Sequence, residues 1–337
     1  MNDQQNDAAA EALKRFFEAF PPGPLGIEEV GISECNRRIV AVDVKASTDL
    51  PPFSRALVEG YLVNVQDMAD AGENKPVTLT VTGTIEPGKA YTEGLPAMTC
   101  MELSTGGFVP EGDYAVVRQM DVVKTENGII VKKPVKGGDN IEPQGGEQKK
   151  GEVIVGLGTR LSPKEIMLLA SQGVSSVTVS RKPIVAIFST GNEILRHSEP
   201  LKPGYVWDAN SYTLAALVED CGGMPLVVDI MKDDLTTFQK ALRGGLTRVD
   251  MAVISGATAA GGREFIAELI NSIDDPGVVV NGVSMKSGKP LIMGVLSDKP
   301  IVCVAGYPPE AMRGFDLFGK PTINRLLGVK HPPVHQA

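Results

Sequence analysis

From Pro183 onward the chain alternates short apolar runs with stretches of helical spacing, and this rhythm restricts the fold more than any other feature. The runs IVAIFS, LVVDI and MAVIS are followed by helical patterns over 210–221, 235–243 and 263–273. The runs VVVNGVSM and IVCVAG then lead into a helical stretch over 309–327. Strands joined through helices lie parallel in one sheet, because the crossover carries the chain back to its starting end. A doubly wound, parallel α/β domain is therefore expected. Ligands of such sheets bind beyond the carboxyl ends of the strands. The loops leaving those ends are Thr190-Gly191-Asn192-Glu193, Gly256 to Gly262, Lys286 to Pro290 and Gly306 to Pro309.

The first half of the chain has another texture. Leu13, Phe16, Phe17 and Phe20 fall at helical spacing, and Pro21-Pro22-Gly23 ends the amphipathic helix predicted from Ala8 to Phe20. Residues 25–50 alternate through IVAVDVKAS and stop at Asp49-Leu50-Pro51-Pro52, where a domain crossing is expected. From Pro52 to Pro134 short β runs such as VTLTVTGTI, YAVVRQMDVV and GIIVKKPV are separated by Pro87-Gly88, Gly106-Gly107 and Asn127-Gly128, which reads as a small barrel or sandwich. The stretch VKGGDNIEPQGGEQKKGE is a loop that links domains or lines a cleft. Ser162-Pro163-Lys164-Glu165 is a capping box that opens a helix closed by Gly173.

Charge and length limit the partners. With 33 Lys+Arg against 41 Asp+Glu the formal net charge is −8, which disfavours a general nucleic-acid or anionic-membrane binder, so an anionic ligand needs a local site. The 337 residues allow two or three domains. The N-terminus lacks a basic segment followed by an apolar one, and no apolar run approaches membrane-spanning length, so a cytoplasmic protein is expected. Cys35, Cys100, Cys221 and Cys303 are too scattered for a zinc knuckle and read as packed, reduced thiols. His197, His331 and His335 supply neither a triad nor a three-histidine metal site.

Chemistry therefore rests on carboxylates, lysines and backbone amides. Ser255 to Gly262 joins a buried strand to a helix through Gly256, Thr258, Gly261 and Gly262, small enough for amides to reach an anion, although such a loop is also simply a tight crossover. Lys286 and Lys289 flank Ser287-Gly288 before Pro290, a pair for an oxyanion or two solvated lysines on a turn. Glu193 is positioned to accept a ligand hydroxyl or hold a cation, or is an exposed loop acid. Asp208 or Asn210 caps the following helix, and Trp207 is expected to be a packed aromatic.

The ordered blocks DLPPFSRALVEGYLV, STGGFVPEGDYAVV, GTRLSPKEIMLLASQGV, VAIFSTGNEI, VISGATAAGG and GVSMKSGKPLIMG resemble the molybdopterin molybdenumtransferase family (MoeA and the gephyrin E-domain), collinearly from about residue 8 to residue 328. The resemblance implies an α/β multidomain chain: a split elongated domain over 1–50 and 140–180, an inserted β-rich domain over 51–139, a MogA-like doubly wound domain over 181–330 and a tail over 331–337. It implies a homodimer whose cleft lies between the α/β domain of one subunit and the β-rich region of the other. The implied reaction inserts molybdate or tungstate into adenylylated molybdopterin and releases AMP, usually with Mg2+. Molybdopterin adenylyltransferase and molybdoenzyme maturation proteins are the implied partners.

Carried over onto these positions, the resemblance gives catalytic roles to Glu59, in place of an Asp before Gly-Tyr, to Thr105 of the Thr-Gly block and to Glu147 of the charged loop. It does the same for Glu193, Glu264, Lys286 and Lys289, with Glu59, Glu193 and Glu264 as metal ligands. Substrate would be held by Thr190, Gly191, Asn192 and Asp208, by Ser255, Gly256, Thr258, Gly261 and Gly262, and by Gly288, Pro290 and Gly306. The family's Gly-Gly-Val-Ser-Val-Gly-Asp loop is Gly256 to Gly262 here, without its serine, and the Pro-Gly-Asn-Pro turn is Ala305-Gly306-Tyr307-Pro308, followed by Glu310 instead of serine. The sequence stops at Ala337 where relatives continue into a small C-terminal β domain, so a member without that domain is expected. These departures keep a second expectation open, a paralogue that binds, carries or senses the cofactor without making it.

Overall fold

The computed structural model describes residues 3–232, 234–256, 262–283 and 291–330. The chain forms two compact units, one built from Met1–Val42, Gly156–Ile166 and Ser176–Ala337, the other from Asp43–Val155 and Met167–Ser175.

The first unit contains α1 (Asp3–Ala19), β1 (Ile184–Thr190), α2 (Asn210–Cys221), β2 (Met224–Met231), α3 (Leu235–Leu246), β3 (Met251–Ser255) and α4 (Gly262–Asn271). After these come β4 (Gly277–Asn281), β5 (Ile292–Leu296), β6 (Lys299–Val304), α5 (Pro308–Gly314) and α6 (Lys320–Leu326). The strand order is β2-β1-β3-β6-β5-β4. Alternation along each strand divides the core in two. Val185 and Ile187 of β1, Met251 and Val253 of β3 and Val302 and Val304 of β6 pack against Phe16 of α1, Leu214 and Val218 of α2 and Phe315. Their neighbours Ala186, Phe188, Ala252, Ile254, Ile301 and Cys303 pack against Phe238 and Leu242 of α3 and Ile266 and Ile270 of α4. Helices thus cover both faces, which is why β1 is apolar along nearly its whole length.

Two expectations are corrected. The sheet is not wholly parallel: β2, β1, β3 and β6 are, but β5 runs antiparallel to both β4 and β6. The strand β5 escapes a reading by turn residues because Ser297-Asp298, which joins it to β6, lacks the usual Asn-Gly signal. Both residues nonetheless adopt positive φ, 51° and 57°, as a tight two-residue hairpin demands. The helical stretch after Gly306 is likewise not uniform, since a π-helical segment over Phe315–Gly319 separates α5 from α6. Pro321 has no N–H to continue the α-helical ladder, so the hydrogen-bond register resets in front of it.

Also in this unit, Ile27–Gly31 pairs antiparallel with Ser176–Ser180. The buried Arg38 guanidinium donates to Glu28 and, at 2.8 Å, to the Ser180 carbonyl. The capping box forms as read: the Ser162 amide donates to Glu165 Oε2 at 3.0 Å and the Ser162 hydroxyl bonds to the same carboxylate. The second unit holds one six-stranded sheet in the order Tyr114–Arg118, Gly60–Asn64, Thr99–Leu103, Val77–Ile85, Gly128–Val131, Val122–Lys124, with a single parallel pair, Val77–Ile85 beside Thr99–Leu103. Gly60–Asn64 and Tyr114–Arg118 are buried on both faces, whereas Val77–Ile85 alternates between buried and exposed positions. Tyr61, Val63, Ala115 and Val117 enter one apolar cluster, and Leu62, Tyr114 and Val116 enter the other.

Phe16 of α1 is fully buried against the sheet, so Phe16→Ala is expected to lower stability by about 3–5 kcal/mol in chemical denaturation. Ser162→Ala should cost about 1 kcal/mol at neutral pH. The Ser162 hydroxyl beside it holds the Glu165 carboxyl below its ordinary pKa. A depressed folded-state pKa means that this contribution is whole above the ordinary glutamate range and fades as pH falls through the lowered value. The gap between wild type and Ser162→Ala in denaturation curves should therefore close in acid.

Candidate functional site

The carboxyl ends of the parallel strands lie side by side because their registers match: Thr190 pairs with Met231, Ser189 with Ser255, and Ser255 with Val304. The loops leaving β1, β3 and β6 therefore start at one level. Gly256, at φ +97°, makes the close approach there. A Cβ on it would stand 2.4 Å from the Thr190 carbonyl oxygen and 2.7 Å from Thr190 Oγ1.

Asn210, the first residue of α2, spans two of these ends. Its Nδ2 donates to Ser255 Oγ at 2.6 Å and to the Gly306 carbonyl at 2.7 Å, while Ser255 Oγ donates to the Ala305 carbonyl at 3.2 Å. The cap of α2 is supplied by Asp208, whose Oδ1 accepts from the Ser211 amide at 3.1 Å. The two alternatives for the cap are thereby separated, because Asn210 is committed elsewhere. Thr190, Asp208, Asn210, Ser211 and Ser255 are all buried, whereas Gly306 is exposed, so this polar cluster lies directly beneath the surface.

The loop after β1 is held by a residue that the sequence did not single out. Lys232, just past β2, donates from Nζ to the carbonyls of Gly191, Asn192 and Ile194 at 3.4, 3.2 and 3.1 Å. Glu193 is exposed, and its carboxylate folds back over Gly191, where a Cβ would meet its oxygens at 2.8 and 2.9 Å. Arg196 donates to Asp229 Oδ1 at 2.6 Å, which holds the guanidinium pKa above its ordinary value. Trp207 corrects an expectation: it is 46% exposed, its backbone paired with Leu195 and its Nε1 donating to the Glu199 carbonyl at 3.0 Å. His197 Nε2 bonds to the Asp208 carbonyl at 2.8 Å, and its ring stacks on Tyr212 at 4.6 Å between centroids. Gly262 opens α4 and Glu264 stands exposed in its first turn. Thr258, Gly261, Lys286, Gly288, Lys289 and Pro290 lie outside the described residues.

Three of the read-out residues belong to the second unit. The short strand Arg55–Ala56 gathers two of them. Arg55 donates to Glu142 Oε2 at 2.7 Å and to Glu147 Oε1 at 2.9 Å. Ala56 pairs with the turn carrying Thr105, its carbonyl accepting from the Gly106 amide and its amide donating to the Gly107 carbonyl. Glu59 follows on the same segment, exposed, beside Gly60, whose Cα packs so closely on Val117 that a Cβ would stand 2.0 Å from that carbonyl oxygen. Among the described residues no group of three or more His, Cys, Asp or Glu side chains is arranged to hold a metal ion, and no helix is long and apolar enough to cross a membrane.

Removing the three bonds from Lys232 should loosen the 191–194 loop without unfolding the sheet. Lys232→Met is expected to speed limited proteolysis within 191–194 while the thermal midpoint moves by only about 2–4 °C, as about 1 kcal/mol does for a domain of this size.

Comparison with known proteins agrees with this architecture. Residues 8–173 match the MoeA N-terminal region (domain I and II), and residues 186–325 match the probable molybdopterin binding domain. The chain is 31% identical over 321 residues to the molybdopterin molybdenumtransferase of Bacillus subtilis, covering 94% of this chain and 74% of that protein. It is 29% identical to the enzyme of the same name from Haemophilus influenzae, over 95% of this chain and 78% of that one. Two solved structures of the molybdopterin biosynthesis MoeA protein of Pyrococcus horikoshii superpose with TM-scores of 0.79 and 0.81, at 34% and 29% identity, each covering 96% of this chain and 80% of theirs. With its two regions matched in order and its sheet carrying the buried polar cluster at the strand ends, the chain belongs to the MoeA (molybdopterin molybdenumtransferase) family.

Proposed function

We propose that this protein inserts molybdate or tungstate into adenylylated molybdopterin and releases AMP. The observation that carries the reading is the buried polar cluster of Thr190, Ser255 and Asn210 at the carboxyl ends of β1, β3 and β6, within the segment that matches the molybdopterin binding domain. It lies where a ligand of a parallel sheet is expected, beneath exposed Gly306, and the N-termini of α2 and α4 add the positive ends of helix dipoles. Distant relatives bearing the transferase name give the same direction.

In this reading the protein's part is positioning. Glu193 on its stapled loop and Glu264 at the start of α4 offer carboxylates on the α/β unit; Glu59, Thr105 and the Arg55-bound Glu147 are the corresponding groups of the other unit. Mg2+ takes its ligands from oxygen, usually one or two carboxylates together with substrate phosphates. The described residues hold no group of three or more such side chains, so a Mg2+ here would take one or two of these carboxylates together with the ligand's phosphates. The homodimer, a cytoplasmic site of action and encounters with adenylyltransferase or maturation proteins belong to the same proposal.

A second reading, a binding or carrier paralogue, is favoured by one observation. Glu310 adds an acidic residue to the first turn of α5, the helix that follows Gly306, at an end where the helix dipole alone would favour an anion. The two readings separate in one experiment. Incubation with adenylylated molybdopterin is expected to give AMP only after molybdate or tungstate is added, in proportion to cofactor formed. Tight binding with no oxyanion-dependent AMP overturns the transferase and leaves the carrier.

A further inference from the structure

The hydrogen bonds of Asn210 fix more than the strand ends. The Gly306 carbonyl can only accept, so the amide atom facing it at 2.7 Å is Nδ2 and the orientation of the side chain is determined. The second Nδ2 hydrogen goes to Ser255 Oγ, and the Ser255 hydrogen goes to the Ala305 carbonyl. All three donors are consumed within the protein. Asn210 Oδ1 is left buried with no partner among the described residues, in a side chain only 7% exposed.

Thr190 is in the same state. Its residue is 4% exposed and its Oγ1 is buried without a partner among the described residues. It stands beside Gly256, the residue after the Ser255 that Asn210 grips, and a Cβ on Gly306 would be 3.4 Å from the Gly256 Cα. Two unpaired oxygens thus sit on side chains that touch Ser255 and Gly256, one from α2 and one from β1. Buried polar atoms are almost always paired in folded proteins, so two unpaired oxygens at the mouth of a parallel sheet point to a place that a ligand completes.

The chemistry of the two oxygens is specific. An amide Oδ1 only accepts, and the Thr190 hydroxyl can accept as well as donate. A phosphate or molybdate oxygen offers no hydrogen to Oδ1 and would be repelled by it. We propose that Asn210 Oδ1 and Thr190 Oγ1 form a subsite for an uncharged N–H or O–H donor of the bound ligand, which places the anionic groups elsewhere along the loops. The identity of that ligand rests on the function proposed above. An adenylylated pterin carries such donors in two places, the amino and lactam edge of the pterin and the adenosine, with its ribose hydroxyls and amino group.

Thr190→Val keeps the β-branched shape and removes only the unpaired hydroxyl, whereas Asn210→Asp would set an acceptor against the Gly306 carbonyl and disturb the fold. Calorimetric titration of wild type and Thr190→Val with AMP, and separately with a tetrahydropterin lacking phosphate, tests the subsite and names the source of the donor. The expected result is an unchanged or raised thermal midpoint, and about tenfold weaker binding, about 1.4 kcal/mol, of one of the two probes. Loss confined to the tetrahydropterin assigns the pterin edge, and loss confined to AMP assigns the nucleoside. Equal binding by the two proteins overturns the subsite, because water or nothing then fills it. A midpoint lowered by several degrees also overturns it, because the hydroxyl then has a structural partner. Wild-type protein that binds neither probe overturns the functional reading itself and the subsite with it, a result distinct from unchanged binding in the variant.

Discussion

A sheet covered by helices on both faces leaves a ligand one place to go. Once Val185, Ile187, Met251 and Val253 face one layer and Ala186, Phe188, Ala252 and Ile254 the other, both faces of the central strands β1 and β3 are sealed by apolar contact. Polar chemistry is pushed to the strand ends. The matched register of β1, β3 and β6 decides that Thr190, Ser255 and the peptide after Val304 arrive together. The rest of the site, from the Asn210 bridge to the tight fit of Gly256, depends on that alignment.

Much of this was legible because burial leaves a periodic mark. The strands β1, β2, β3 and β6 and their helices follow directly from continuous apolar runs interrupted by helical spacing, and the strand-end loops that include Thr190, Ser255, Gly256 and Gly306 follow from those strands. What stayed hidden is long-range or stereochemical. Asn210 reads as a cap because Asp208 stands two residues before it and both side chains suit that role; its actual partners lie 45 and 96 residues away. Arg55 bonds to acids 87 and 92 residues distant, and Lys232 bonds to backbone carbonyls, which carry no side-chain signature. The hairpin at Ser297-Asp298 was missed because positive φ was adopted by residues that do not advertise it.

The β-rich unit follows a different rule. Its edge strand Tyr114–Arg118 and the neighbouring Gly60–Asn64 are buried on both faces although they pair antiparallel, a situation usually associated with helix-covered parallel sheets. Here short segments outside the sheet do the covering: Ala56, Leu95 and Val109 close one side, and Met68 and Ala71 the other. Segments recruited into a core lose freedom, and the Arg55–Ala56 segment is therefore a firm base for the turn of Thr105 and for Glu147.

The staple at Lys232 ties an edge to a centre. The strand before it, β2, is the outermost of the parallel strands and shows Met224, Leu226, Val227 and Val228 to solvent. Its last turn of chain is fastened to the peptide planes that carry Glu193. Sheet border and carboxylate therefore form one mechanical piece: a load applied to the rim of the domain reaches the loop through an ammonium group, with no need for the interior to rearrange.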